Sequence, residues 1–237
     1  MPNIRHEKIA TKLLPIIYVL DTSGSMIGDR ISAVNEAMKD TAEVLKKVSA
    51  NNADAQIMIG VLTFSSEAKW ITPHGLIYLE DFYWEDLRAG GMTYYGLALE
   101  QLNLKLSRNE FLNSKIGFKL PVIIFMSDGG PNDKEWKQEL ENINQENRWF
   151  REATKIALAV GDEARKDVLA AVTGSSEAVF PVTDLESLEK LIRVVSVTAS
   201  KVGSMSRTEN NQLSKIVEIT RDSLKSTDNY WIEDDWD

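Results

Sequence analysis

Apolar residues fall along this chain in two alternating rhythms. Five runs are almost continuously apolar: LLPIIYVL at 13–20, QIMIGVLTF at 56–64, LPVIIFMSDGG at 120–130, ATKIALAVG at 153–161 and AVFPV at 178–182. Each has strand length, and the missing polar alternate suits a sheet covered on both faces. Between them the spacing turns helical. Ile31, Val34, Met38, Ala42 and Leu45 mark one helix, and further helices are expected near 93–106, 134–146, 165–172 and 185–201, with Gly203 as a stop. AKWIT and GLIYL flank Pro73-His74-Gly75 and predict a hairpin at the sheet edge. Strand and helix in regular alternation give an α/β class: a doubly wound, mainly parallel sheet with one antiparallel edge hairpin.

Residues 1–203 accommodate this pattern as one domain, and the character changes over 204–237. Leu213, Ile216, Val217, Thr220 and Leu224 line one face of a short amphipathic helix, expected to pack on the domain. The sequence STDNYWIEDDWD then sets Trp231 and Trp236 among acids.

Charge and composition narrow the function. A net charge of −9 with no basic run argues against a nucleic-acid partner. The absence of cysteine removes disulfides and thiolate metal sites. The first apolar run is too short to span a membrane, is interrupted by Pro15 and ends at Asp21 with no small-residue cleavage site. A cytoplasmic protein with no membrane partner is the expectation.

Three strand exits carry the candidate chemistry. DTSGS places Asp21, Ser23 and Ser25 on a turn; AGGMT brings Thr93 to a helix start behind two glycines; MSDGGPND ends a strand with Ser127 and Asp128. Ligands of doubly wound sheets bind beyond the carboxyl ends of the strands, so Asp21 and Asp128 should meet there although distant in sequence. Hard oxygens on such loops suit Mg2+ or Ca2+. The structural alternative is helix capping, which Ser and Asp commonly provide. Thr93 also fits an N-cap, and Asp133 is expected to cap the helix that follows it. Tyr94 and Tyr95 are candidates for the rim of the metal face, whereas His6 and His74, without ligating neighbours in sequence, suggest surface or turn positions.

D-x-S-x-S, then a threonine on a glycine-rich loop, then an aspartate after an apolar strand resembles the von Willebrand factor A (VWA) domain and its metal-ion-dependent adhesion site (MIDAS). The likeness covers about residues 13–197, and SDGGP is most similar to bacterial TerY-like stand-alone VWA proteins. The resemblance implies a Rossmann-like VWA fold. It also implies Ser23 and Ser25 as direct metal ligands, Thr93 as a direct or water-mediated one, and Asp21 and Asp128 holding coordinated waters or the ion. Mg2+ is the expected ion, with Mn2+ or Ca2+ as substitutes. A cation held mainly by neutral hydroxyls is poorly neutralised and should attract a Glu or Asp from a protein partner. A non-enzymatic interaction module follows, and TerY-like kinship would place it in a bacterial stress or tellurium-resistance system. The alternative from another class is a metal-dependent phosphohydrolase; that chemistry would want D-x-D, but Ser23 occupies the second position, and no Walker lysine occurs. A third reading has the metal only stabilising the fold. The carboxylates of IEDDWD also suit the metal site, so the tail is a candidate for self-association.

Overall fold

The computed structural model describes residues 11–50, 54–72, 75–182, 184–204 and 212–225. In chain order its elements are β1 (Leu13–Asp21), α1 (Asp29–Ala50), β2 (Gln56–Phe64), β3 (Ala68–Trp70), β4 (Ile77–Tyr78), α2 (Tyr95–Lys105), β5 (Val122–Ser127), α3 (Trp136–Glu146) and α4 (Arg148–Arg151). Then follow β6 (Thr154–Val160), α5 (Lys166–Thr173), β7 (Val179–Val182), α6 (Leu185–Ser204) and α7 (Gln212–Lys225). Among the described residues one sheet forms, in the order β3-β2-β1-β5-β6-β7, with β4 also on β2. β2, β1, β5, β6 and β7 run parallel. The α/β, mainly parallel architecture expected from the apolar runs is therefore the one observed.

Both sheet faces are buried, which explains the continuous hydrophobicity. On β1, Leu14, Ile16, Tyr18 and Leu20 point into a core shared with α1 and α6. Ile17 and Val19 point into the opposite core, built with α2, α3 and α5. Alternate side chains of a strand face opposite ways, so a strand covered twice favours apolar residues at nearly every position. From β1 a buried polar contact reaches α6: the Tyr18 hydroxyl donates to Ser196 Oγ at 2.7 Å. Burial pushes the Tyr18 phenol well above its ordinary range.

The antiparallel edge is present, but its pairing differs from a simple hairpin between 68–72 and 75–79. β3 pairs with Leu62–Phe64 of β2, and β4 pairs with Met58 and Ile59 of the same strand. The two short strands thus lie end to end on one edge instead of facing each other. Gly203 does not stop α6, which runs to Ser204. A Cβ at 203 would lie 3.1 Å from Leu14 and 3.3 Å from Val122, so this glycine lets the helix press onto the sheet. α7 buries Ile216, Val217 and Thr220 and lies against α6. The aromatic acidic tail, His6 and His74 lie outside the described residues.

β2 and β5 leave β1 on opposite sides, so the strand order reverses between β1 and β5. Crevices outside the strand ends at such reversals are where doubly wound sheets bind ligands. Asp21 ends β1 and Asp128 follows β5 directly. No described helix is long and apolar enough to cross a membrane.

Candidate metal-binding face

Asp21 is the deepest member of the cluster, 1% exposed at the last position of β1. Its Oδ1 accepts the backbone N–H of Ser23 at 2.8 Å, and its Oδ2 accepts the Ser127 hydroxyl at 2.5 Å. Burial pushes the Asp21 carboxyl above its ordinary range, against the pull of the hydrogen bonds from Ser127 and Ser23, and the nearby Asp128 charge pushes the same way as burial. A cation beside it would favour the ionised form.

The turn after β1 is stitched to the glycine-rich loop. Gly90 N–H donates to Thr22 O at 2.7 Å, and Gly24 N–H donates to Gly91 O at 2.9 Å. Gly91 has φ of +87°, and a Cβ there would meet Ser66 Oγ at 2.7 Å, so only glycine fits this junction. The third loop closes on the second. Asn132 Oδ1 accepts Thr93 N–H at 2.7 Å, while Asn132 N–H donates to Thr93 O at 2.8 Å.

The hydroxyls form a directed chain. Ser25 Oγ donates to Asp128 Oδ1 at 2.7 Å. Ser25 has a single hydroxyl proton, so across the 3.1 Å contact between Ser23 Oγ and Ser25 Oγ it is Ser23 that donates. Asp128 Oδ2 is paired with Arg30 Nη1, and the same nitrogen donates to Ser25 O at 3.3 Å. A Cβ at Gly129 would lie 3.6 Å from Ser25 Oγ and 3.8 Å from Thr93 Oγ1. Both hydroxyls therefore look onto the same small space, kept open by the missing side chain of Gly129.

Asp21, Ser23, Ser25, Thr93 and Asp128 are thus brought together from three loops. The donor set is hard oxygen throughout, and no three His, Asp or Glu side chains gather into a metal cluster among the described residues. A cation here would rely on hydroxyls, which suits Mg2+, Mn2+ or Ca2+ and fits the open space over Gly129.

Two expectations about capping are corrected. α2 begins at Tyr95 with Tyr94 at its N-cap, and the Thr93 side chain caps nothing. Its cap is Asp133, whose Oδ1 accepts Tyr95 N–H at 3.1 Å and whose Oδ2 accepts Gly96 N–H at 2.6 Å. Asp133 does not cap α3, whose N-cap is Glu135 without a side-chain bond. Tyr95 is not a rim residue either. It is 1% exposed, stacked edge-on against Phe64, with its hydroxyl 3.5 Å from Gly129 O. Burial pushes its phenol well above the ordinary range.

Sequence reasoning missed Arg30 and the service of Asn132 and Asp133 to the Thr93 loop. Arg30 had one available signal: a cation in the first turn of a helix sits at the unfavourable end of the dipole.

Residues 16–194 match the family model of the von Willebrand factor type A domain. No curated protein matches the chain. Among solved structures, proximal thread matrix protein 1 from the mussel byssus, with a zinc-occupied MIDAS motif, is 20% identical at a TM-score of 0.55, over 81% of this chain and 46% of that one. A von Willebrand factor type A protein from Catenulispora acidiphila is 14% identical at a TM-score of 0.56, over 80% and 43%. The pilus adhesin SpaC from Lactobacillus rhamnosus GG, in its open conformation, is 16% identical at 0.58, over 88% and 30%. This chain therefore spans less than half the length of each of these three. At these identities the neighbours speak for the fold, while the family match covers most of the sequence: the chain belongs to the von Willebrand factor type A domain family.

Proposed function

We propose that this protein is a divalent-cation-dependent interaction module that binds a Glu or Asp of a protein partner through a metal at the β1–β5 strand ends. The observation that carries the reading is the convergence of Ser25 Oγ and Thr93 Oγ1 on the space over Gly129, beside Ser23 and two carboxylates. Ser23, Ser25 and Thr93 would hold the ion through their hydroxyls, with Asp21 and Asp128 holding its waters or the ion itself. A bound Mg2+, Mn2+ or Ca2+ supplies an electrophilic vertex for one more oxygen ligand.

The chain's own charges favour an anionic occupant for that vertex. Asp21 and Asp128 bring two negative charges, and Arg30 cancels one of them. A divalent ion would leave the face net positive, on a protein whose overall charge is −9. An acidic side chain from another protein meets that need better than a neutral one.

Catalysis fits less well. Both Asp21 oxygens already accept hydrogen bonds, and Ser23 stands where an acid/base carboxylate would be wanted. We therefore read the protein as a binder and not as a phosphohydrolase. TerY-like kinship adds the proposal of a bacterial stress or tellurium-resistance setting and of a cytoplasmic location; both rest on the SDGGP resemblance.

Affinity capture from the native host tests the reading, run with Mg2+, with EDTA and with a Ser23→Ala variant. The expected result is a protein retained by the wild type in Mg2+ and lost in the other two arms. Retention that ignores chelator and variant alike contradicts it. So does Mg2+-dependent phosphatase turnover abolished by Asp21→Ala.

A further inference from the structure

We propose that Arg30 is the resident counter-ion of this face: it competes with the metal for Asp128 and offers a second cationic contact to the partner's carboxylate. The inference rests on the metal-site reading above and adds a residue to it.

Arg30 is the second residue of α1, where a positive charge opposes the helix dipole and gains nothing from the helix itself. What it gains is Asp128. That carboxylate has two oxygens: one accepts Ser25 Oγ and the other pairs with the guanidinium. With Arg30 in place, each oxygen of Asp128 already has a partner, and a cation entering beside Ser25 must share the carboxylate with them. The guanidinium also repels a divalent ion directly, over a short path partly screened by solvent.

The chain keeps room for this arrangement. Gly161 follows β6 with φ of +88°, and a Cβ there would fall 2.8 Å from Arg30 Nη2. The positive φ favours glycine here, and the end of β6 forms the floor under the guanidinium. Gly161 is itself anchored to the sheet, its N–H donating to Val182 O at 2.7 Å.

Arg30 also faces outward. Its side chain keeps 38% of its exposure, and both of its hydrogen bonds to described residues leave from Nη1. A guanidinium presents five N–H donors in a fork that matches a carboxylate. When a metal draws Asp128 toward itself, the fork stands next to the position a partner's carboxylate would take. The ligand best suited is then one carboxylate shared between metal and guanidinium, which meets both cations with a charge and two oxygens where a neutral carbonyl brings one oxygen and no charge.

Mn2+ titration by calorimetry of the wild type, Arg30→Gln and Arg30→Lys tests the competition, with circular dichroism to verify folding. Arg30→Gln should bind Mn2+ about tenfold tighter, equivalent to about 1.4 kcal/mol, and Arg30→Lys should stay near the wild type. Acetate serves as the carboxylate probe, and paramagnetic relaxation of its methyl protons by protein-bound Mn2+ should fall several-fold in Arg30→Gln. Equal or weaker Mn2+ binding by Arg30→Gln, or unchanged acetate relaxation, overturns the inference while leaving the metal site standing. If the wild type binds no Mn2+, the metal-site reading itself fails and takes this inference with it.

Discussion

Replacing Asp133 by alanine removes two hydrogen bonds from one helix end. The carboxylate spans the N–H groups of Tyr95 and Gly96 at 3.1 and 2.6 Å, and Gly96 supplies the space, since a Cβ there would sit 2.6 Å from Asp133 Oδ2. Loss of a capping side chain costs about 1 kcal/mol. Loss of a negative charge at the positive end of a helix adds about 0.3–1 kcal/mol. Both partners are buried and Asp133 itself is half-buried, so water replaces the lost bonds only in part, and about 1.5–2.5 kcal/mol is expected in all. For a protein of this size that is a fall in Tm of roughly 3–10 °C. Asp133→Asn, which keeps an acceptor and loses the charge, should fall between wild type and alanine. Urea denaturation and calorimetry provide both numbers. A loss below about 0.5 kcal/mol for Asp133→Ala would refute the reasoning, because a cap of two bonds cannot be worth so little. Metal affinity should weaken alongside, since Thr93 lies on the loop that Asn132 and Asp133 pin.

Two further perturbations separate site from scaffold. Gly129→Ala places its methyl at 3.6 and 3.8 Å from the Ser25 and Thr93 hydroxyls, ordinary contact distances with no positive φ to strain. Stability by urea melt should hold or rise by about 0.4–1 kcal/mol, while Mn2+ affinity falls at least about tenfold, or about 1.4 kcal/mol; unchanged affinity would mean the space over Gly129 is not where the ion sits. Lys155 is 7% exposed, and its Nζ donates to the carbonyls of Phe150, Arg151 and Ala153 at 2.9, 3.4 and 3.5 Å. Burial pulls its ammonium down from 10.5 to about 8. Between those values the unfolded chain holds more protons than the folded one, so wild-type stability should rise with pH across that window, by on the order of 2–3 kcal/mol relative to Lys155→Met. Parallel melts of the two proteins from pH 7.5 to 10 would contradict this.

What the sequence made legible was whatever its local pattern encodes. Continuous apolar runs marked strands buried twice, and β1 ends at the Asp21 where its run stops. The doubly wound pattern placed Asp21 and Asp128 at one crevice, because strand ends follow from topology alone. What it hid depends on distant partners. Asp133 looked like the cap of the helix beginning three residues later, yet its acceptors serve a helix 37 and 38 residues upstream. Gly203 carried the mark of a helix stop, but its small size serves contact with Leu14 and Val122, both far away in sequence. Arg30 went unnoticed because its partner Asp128 lies 98 residues on. Tyr95 sits beside Thr93, but the helical turn starting there swings its ring inward, between Phe64 and Trp136.

Anomalous diffraction from a crystal grown with Mn2+ tests the metal centre most directly. One strong peak is expected in the space over Gly129, bounded by the Ser23, Ser25 and Thr93 hydroxyls, with Asp21 and Asp128 behind it. No peak there, or Ser23 and Thr93 side chains pointing apart with the ion bound elsewhere, would contradict it.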